Sequence, residues 1–247
     1  GDGVHTVHTA RDKKQVLQSL LYAQADVSIQ AQWEASIRSV STQIRPLILG
    51  IPSDTGGGIV RGANWGPLFV REALYHDYAL DHVCDLGDVR VIPHLLHDKY
   101  LNADTVAECR RALYDSMENT LPVSPLSIAE EVLETLYSAL PVSRVFAIGG
   151  DHSVSYATVG AYLKSKRQRG IRAAVIHFDA HTDLSASRLG IDINFSTWAH
   201  QMLSLLHSPE DLIQLGVRAS GHDKAYWCKT LGVQQYWSEE IATQGVT

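Results

Sequence analysis

Ala173-Ala174-Val175-Ile176-His177-Phe178 runs directly into Asp179-Ala180-His181-Thr182-Asp183. A short, mostly apolar run closed by a polar turn reads as a buried strand. The same design occurs upstream, where Arg144-Val145-Phe146-Ala147-Ile148 stops at Gly149-Gly150-Asp151-His152-Ser153 and a helix is expected from near Ser153. Working outward, Pro46-Leu47-Ile48-Leu49-Gly50-Ile51 is a third apolar run. It is followed by a loop holding Gly56, Gly57, Gly58 and Gly62, then by a helix from Pro67 to about Tyr75. Pro67 suits a first helical position, where its missing N–H costs nothing. Val83–Gly87 and Leu212–Val217 read as further strands, and residues 104–119 and 127–140 as helices. Apolar strands alternating with helices predict an α/β fold with a parallel sheet covered on both faces. Ligands bind such sheets beyond the carboxyl ends of the strands, and both polar clusters fall there.

The clusters carry the chemistry. Two glycines let the backbone turn sharply after Ile148, so that His152 projects from the loop. Asp151 is placed to orient a neighbouring ligand as an acceptor. In Asp179-Ala180-His181-Thr182-Asp183 a ligand type recurs at every second residue, and an extended backbone points alternate side chains the same way. Two carboxylates and an imidazole in one space repel and desolvate one another unless a cation sits between them. Mixed oxygen and nitrogen donors suit Mn, Fe, Ni, Co or Zn better than Ca or Mg. A lone Asp-x-His is ordinarily a hydrogen-bonded turn. Two such clusters at the ends of consecutive strands, one with three ligands in phase, favour a metal site at His152, Asp179, His181 and Asp183. His177 shares the strand phase of Asp179 but lies further back, and reads as structural. His5 and His8 read as solvated. His94 and His97 have helix-like spacing but no acidic partner placed with them.

Composition narrows the field. The 247 residues are 45% hydrophobic and 19% charged, ordinary for a folded domain and unlike a disordered chain. A net charge of -6 gives no reason to expect a nucleic-acid partner. No apolar stretch reaches the roughly 20 residues of a membrane helix, so no membrane partner is expected. Three scattered cysteines, Cys84, Cys109 and Cys228, make no disulfide framework and fit a reducing cytoplasm. Residues 11–40, rich in Gln, Ala, Leu and Ser, read as helix. Residues 1–45 are therefore expected to form a helical extension on an α/β domain spanning 46–247.

Gly149-Gly150-Asp151-His152-Ser153 followed by Phe178-Asp179-Ala180-His181-Thr182-Asp183 resembles the ureohydrolases: arginase, agmatinase, formimidoylglutamase and related guanidino hydrolases. Gly50-Ile51-Pro52-Ser53-Asp54, Gly62-Ala63-Asn64-Trp65-Gly66-Pro67, Val70-Arg71-Glu72-Ala73 and Asp85-Leu86-Gly87-Asp88-Val89 are similar to further landmarks of that family. The resemblance implies a three-layer α/β/α fold with a mostly parallel central sheet. It implies two metal ions, usually manganese, with Ni, Fe, Co or Zn as alternatives. His152, Asp179 and Asp183 would hold the first ion, and His181 with the bridging Asp179 the second. A metal-bridging hydroxide would attack the carbon of a guanidino or amidino compound, with Asp183 holding the nucleophile and urea or a related amide released. Ser187, Asn194 and Trp198, on or beside the loop 185–197, are the candidate substrate-binding residues. A homo-oligomer, trimer or hexamer, is expected on the same ground.

Two departures bear on this. The family's later Asp-x-Asp-x-x-Asp-Pro motif does not occur up to Thr247, so the domain is expected to be truncated at its C-terminus and the metal site weakly or partly filled. Phe195 stands where many members carry a proton-shuttling His. A non-catalytic scaffold with an incomplete metal site is therefore the alternative, and a metal-dependent deacylase on a related fold a more distant one.

Overall fold

β1 (Pro46–Ile51) lies at the centre of the first half of the molecule, between β2 (Cys84–Asp88) and β3 (Arg144–Gly149), and both pairings are parallel. A strand flanked on both sides and covered on both faces has no solvent face, which is why Leu47, Ile48, Leu49 and Ile51 are all buried. β5 (Leu212–Val217) plays the same part in the second half, between β4 (Val175–Phe178) and β6 (Gln234–Trp237), again in parallel. This computed structural model describes residues 11–22, 26–42 and 45–245; His5 and His8 lie outside them. The fold is α/β with parallel sheets. Its ladder comes in two three-stranded sheets, β2-β1-β3 and β4-β5-β6. The flanking strands β3 and β4 leave Phe146, Ile176 and Phe178 exposed.

Helices cover the strands. α3 (Gly66–Asp77) starts with Pro67 in its first turn, as the sequence suggests. α4 (Ala103–Tyr114) is opened by the Asn102 side chain accepting from the Thr105 N–H. α5 (Pro125–Ala139) and α6 (Val154–Gln168) pack together over β1 and β3. α6 belongs to both cores. Val154, Ala157 and Ala161 join Leu49, Ile51, Leu126 and Leu133, and Leu163 joins Trp198, Met202, Leu212 and Trp227. The helix that follows His152 therefore ties the two halves together. α7 (Trp198–Met202), α8 (Lys224–Leu231) and α9 (Ser238–Gln244) complete the second half.

The N-terminal region differs from the single helix expected over 11–40. It forms α1 (Arg11–Leu21) and α2 (Ile29–Ser39), with the Ser28 hydroxyl accepting from the Ala31 N–H to cap the second. Asp26 and Ser28 are the residues that mark such a break. α1 buries Leu17 against Leu68, Trp65 and Tyr75, and the Trp33 indole of α2 donates to the Leu86 carbonyl. β6 was not expected from the sequence. Its four residues, Gln234-Gln235-Tyr236-Trp237, lack the apolar run that marked the other strands.

One buried network explains two sequence landmarks at once. Arg71 is fully buried and donates to Asp85 at 3.0 Å, to Asp88, and to the Pro67 carbonyl at 2.9 Å. The Arg71 of the α3 motif and the acids of the β2 motif are thus partners. A buried guanidinium costs much less when its donors meet charged acceptors. Gly50 belongs to the same arrangement, since a Cβ there would overlap the Asp88 carboxylate.

Candidate metal centre

His152, Asp179 and Asp183 meet where the carboxyl ends of β3 and β4 approach. The Gly149-Gly150 turn makes this possible. Gly150 packs so closely on the Ser53 carbonyl that a Cβ would overlap it, and its N–H donates to the Ile51 carbonyl. His152 Nδ1 then lies 3.0 Å from Asp179 Oδ2 and 2.9 Å from Asp183 Oδ2. One imidazole nitrogen holds two carboxylate oxygens. Burial alone would lower the His152 pKa; the bond to Asp183 and the charges of Asp183 and Asp179 outweigh it, and the value rises. At Asp179 burial pushes upward, but the His181 backbone N–H and the His152 and His177 rings outweigh it and the pKa falls.

Asp179 faces two ways. Its Oδ2 turns inward to His152 and, at 3.4 Å, to His177 Nε2. Its Oδ1 turns outward, accepting from the His181 N–H at 2.9 Å and lying 3.2 Å from His181 Nδ1. The His181 side chain is 64% exposed. The extended turn expected for residues 179–183 is therefore not what forms. Asp179 bonds its own chain two residues on, and Asp183 adopts φ 51°, in the left-handed region. The three in-phase ligands share one end of β4 but divide between the two oxygens of Asp179. Among the described residues, the tight group of potential ligand atoms, all within 4.8 Å of one another, is His152, His177, Asp179 and Asp183.

The remaining candidates fall elsewhere. Trp198 is buried, and its indole N–H donates to Asp183 Oδ2 at 2.7 Å, so it braces a carboxylate rather than lining a mouth. Asn194 is also buried and spends its amide within its own turn, on the Ile191 carbonyl and on Ser196. Ser187 is exposed. Asp151 accepts from the Ser153 N–H and holds its own loop instead of a neighbouring ligand. Phe195 packs near Gly58, with the Arg188 guanidinium 5.7 Å from its ring centre. His97 does have an acidic partner, Glu130 on α5 at 2.9 Å, which its sequence neighbours do not reveal.

The donor set fits a divalent cation. Two carboxylate oxygens are drawn to one point by a single imidazole, and oxygen and nitrogen donors of this kind suit manganese, iron, cobalt, nickel or zinc.

These features define a class: a parallel α/β domain with a carboxylate–imidazole cluster at the carboxyl ends of its strands. A model of the arginase family matches residues 45–247, so the chain belongs to that family. Among curated relatives, it is 26% identical over 206 residues to a formimidoylglutamase of Bacillus subtilis, covering 81% of this chain and 57% of the relative. It is 26% identical over 192 residues to an agmatinase of Bacillus cereus, covering 77% and 58%. The chain thus spans under two thirds of the length of these relatives. Among solved structures, it resembles an arginase from Medicago truncatula with a TM-score of 0.60 and 18% identity, covering 96% of this chain and 67% of that one. It also resembles the proclavaminate amidino hydrolase of Streptomyces clavuligerus, with a TM-score of 0.58 and 21% identity, covering 82% and 61%.

Proposed function

We propose that this protein is a metal-dependent hydrolase of a linear C–N bond in a guanidino or amidino compound, releasing urea or a related amide. The observation that carries the reading is His152 Nδ1 within 3.0 Å of both Asp179 Oδ2 and Asp183 Oδ2. A site that needs one proton to reconcile two carboxylates is a site prepared for a cation. His152, Asp179 and Asp183 would hold the first ion; His181 and the outward oxygen of Asp179 would hold the second. Manganese is the proposed metal, with nickel, iron, cobalt or zinc as alternatives. Bound ions of this kind lower the pKa of water enough to supply hydroxide near neutral pH. Asp183, braced by Trp198, is the residue proposed to orient the attacking group by a hydrogen bond. Of the substrate-loop candidates, Ser187 alone keeps an exposed side chain free to face a substrate, and it is proposed for that role.

The family and the relatives named agmatinase and formimidoylglutamase support this chemistry. A cytoplasmic homo-oligomer, trimeric or hexameric, is part of the same proposal; among the described residues no helix is long and apolar enough to cross a membrane, and the three cysteines are free. The second reading is a scaffold protein that keeps part of the centre. It is favoured by the solvent-facing His181 and by Phe195, whose ring cannot carry protons. Manganese-loaded protein should be screened for urea release from arginine, agmatine and guanidinobutyrate, and for formamide release from formimidoylglutamate. Turnover of one of them is expected. Full metal loading with no turnover of any would favour the scaffold.

A further inference from the structure

His177 belongs to the group whose ligand atoms converge, yet a line of hydrogen bonds crosses the sheet to reach its far side. His177 on β4, Gln214 on β5 and Gln235 on β6 are direct neighbours in the parallel register. All three are buried, and Gln214 is 0% exposed. Trp237 Nε1 donates to Gln235 Oε1 at 3.0 Å, and Gln235 Nε2 donates to Gln214 Oε1 at 2.7 Å. Gln214 Nε2 lies 2.6 Å from the Thr182 carbonyl and 2.9 Å from His177 Nδ1.

Two members of this line have one role only. An indole N–H can donate but not accept, and a peptide carbonyl can accept but not donate. Trp237 therefore fixes the oxygen of Gln235, and the Thr182 carbonyl fixes the nitrogen of Gln214. No amide in the line can be flipped without setting donor against donor or acceptor against acceptor. Gln214 has two amide hydrogens. One goes to Thr182 and the other to His177 Nδ1, which must accept. The ring proton of neutral His177 is then on Nε2, which is buried, makes no hydrogen bond among the described residues and faces Asp179 Oδ2 at 3.4 Å.

We infer that the Trp237–Gln235–Gln214 line locks the proton of His177 on Nε2, the nitrogen that faces Asp179 Oδ2, making it a positioning residue that attracts that carboxylate electrostatically and not a ligand of the ion. To bind a cation through Nε2, His177 would have to move its proton to Nδ1, against an amide NH2 group that the Thr182 carbonyl holds in place. The role in metal binding rests on the hydrolase reading above; the tautomer does not.

The test is long-range 1H–15N NMR of the imidazole nitrogens, first without metal and then with zinc as a diamagnetic probe. His177 should show a protonated Nε2 and an unprotonated Nδ1, and should keep that pattern while the His152 nitrogens shift on zinc addition. An Nδ1-protonated His177, or a zinc-induced ligation shift at its Nε2, would overturn the inference. Gln214→Glu presents an acceptor to Nδ1 and should reverse the tautomer; an unchanged pattern in that variant also counts against the line. If that variant does not fold, Gln214→Leu, which removes the donor to Nδ1, should weaken zinc binding about tenfold without changing the number of ions, and unaltered affinity would contradict the role. Because the tautomer is read without metal or substrate, absence of turnover with the pattern intact would sink the enzymatic reading alone.

Discussion

The two oxygens of Asp179 sit in opposite worlds. The inward one meets His152 and His177, and the neighbouring Asp183 is gripped by the buried Trp198 indole. The outward one, among the described residues, meets His181 through its exposed ring and its own backbone N–H. The inner seat is held from behind by residues of β4, β5, α7 and the Gly150 turn, while the outer seat rests on a single local turn. Donors braced by packing and hydrogen bonds lose little freedom when a cation arrives, and unbraced ones lose more. The difference predicts two unequal metal sites.

The change that should break this comparison most completely is Asp179→Ala, which removes the carboxylate common to both seats. Manganese affinity should fall by more than the roughly 10–100-fold typical of outer partners, as measured by calorimetric titration. Next in size, Arg71→Ala should leave Asp85 and Asp88 buried without their cation, costing about 3–5 kcal/mol of stability in denaturant unfolding. Because Arg71 bonds Pro67, Asp85 and Asp88 and none of the residues of the seats, metal selectivity in the folded fraction should be unchanged. Trp198→Phe removes only the brace on Asp183. It should weaken the tighter manganese site by about tenfold and leave the weaker one alone, which sharpens the contrast.

A pH series adds a test with a defined sign. The His152 pKa is raised, because Asp183 and Asp179 outweigh burial. Its contribution to stability is present below the ordinary value of about 6.5 and is lost as pH rises through the raised one. The His177 pKa is lowered, mainly by burial, so its contribution is present above that same ordinary value and is lost as pH falls through the lowered one. Thermal melts of metal-free protein should therefore show these two contributions together at their greatest near pH 6.5, on the order set by imidazole. Saturating manganese should move the optimum upward, because the metal takes an unprotonated His152. The smallest effect is expected for His181→Ala. Stability should change by no more than about 0.5 kcal/mol, and only the weaker metal site should be lost.

Much of this was legible in the chain itself. The β1, β3, β4 and β5 strands announced themselves as apolar runs, and the glycine turn after Ile148 and the acids after Phe178 marked the strand ends that meet. Fully buried strands and special turns impose strong local requirements, so they leave strong local signals. What could not be read were relations between distant residues. His97 gains Glu130 from 33 residues away, and Trp198 turns inward because Asp183 offers an acceptor. The split of the 179–183 turn depends on an Asp179 side chain bonding its own backbone, which alternation along a strand ignores. A clue to the polar line across the sheet was available: Gln214 interrupts Leu212-Ile213-Leu215, and a glutamine inside a strand read as buried demands a partner. Its partners, on β4 and β6, become visible only once the sheet is assembled.

The most direct test is a calorimetric titration of metal-free protein with manganese. Two binding events of clearly different affinity are predicted, the tighter one lost in His152→Ala and the weaker one in His181→Ala. Two equally tight ions, or a tighter event that survives His152→Ala, would contradict the account.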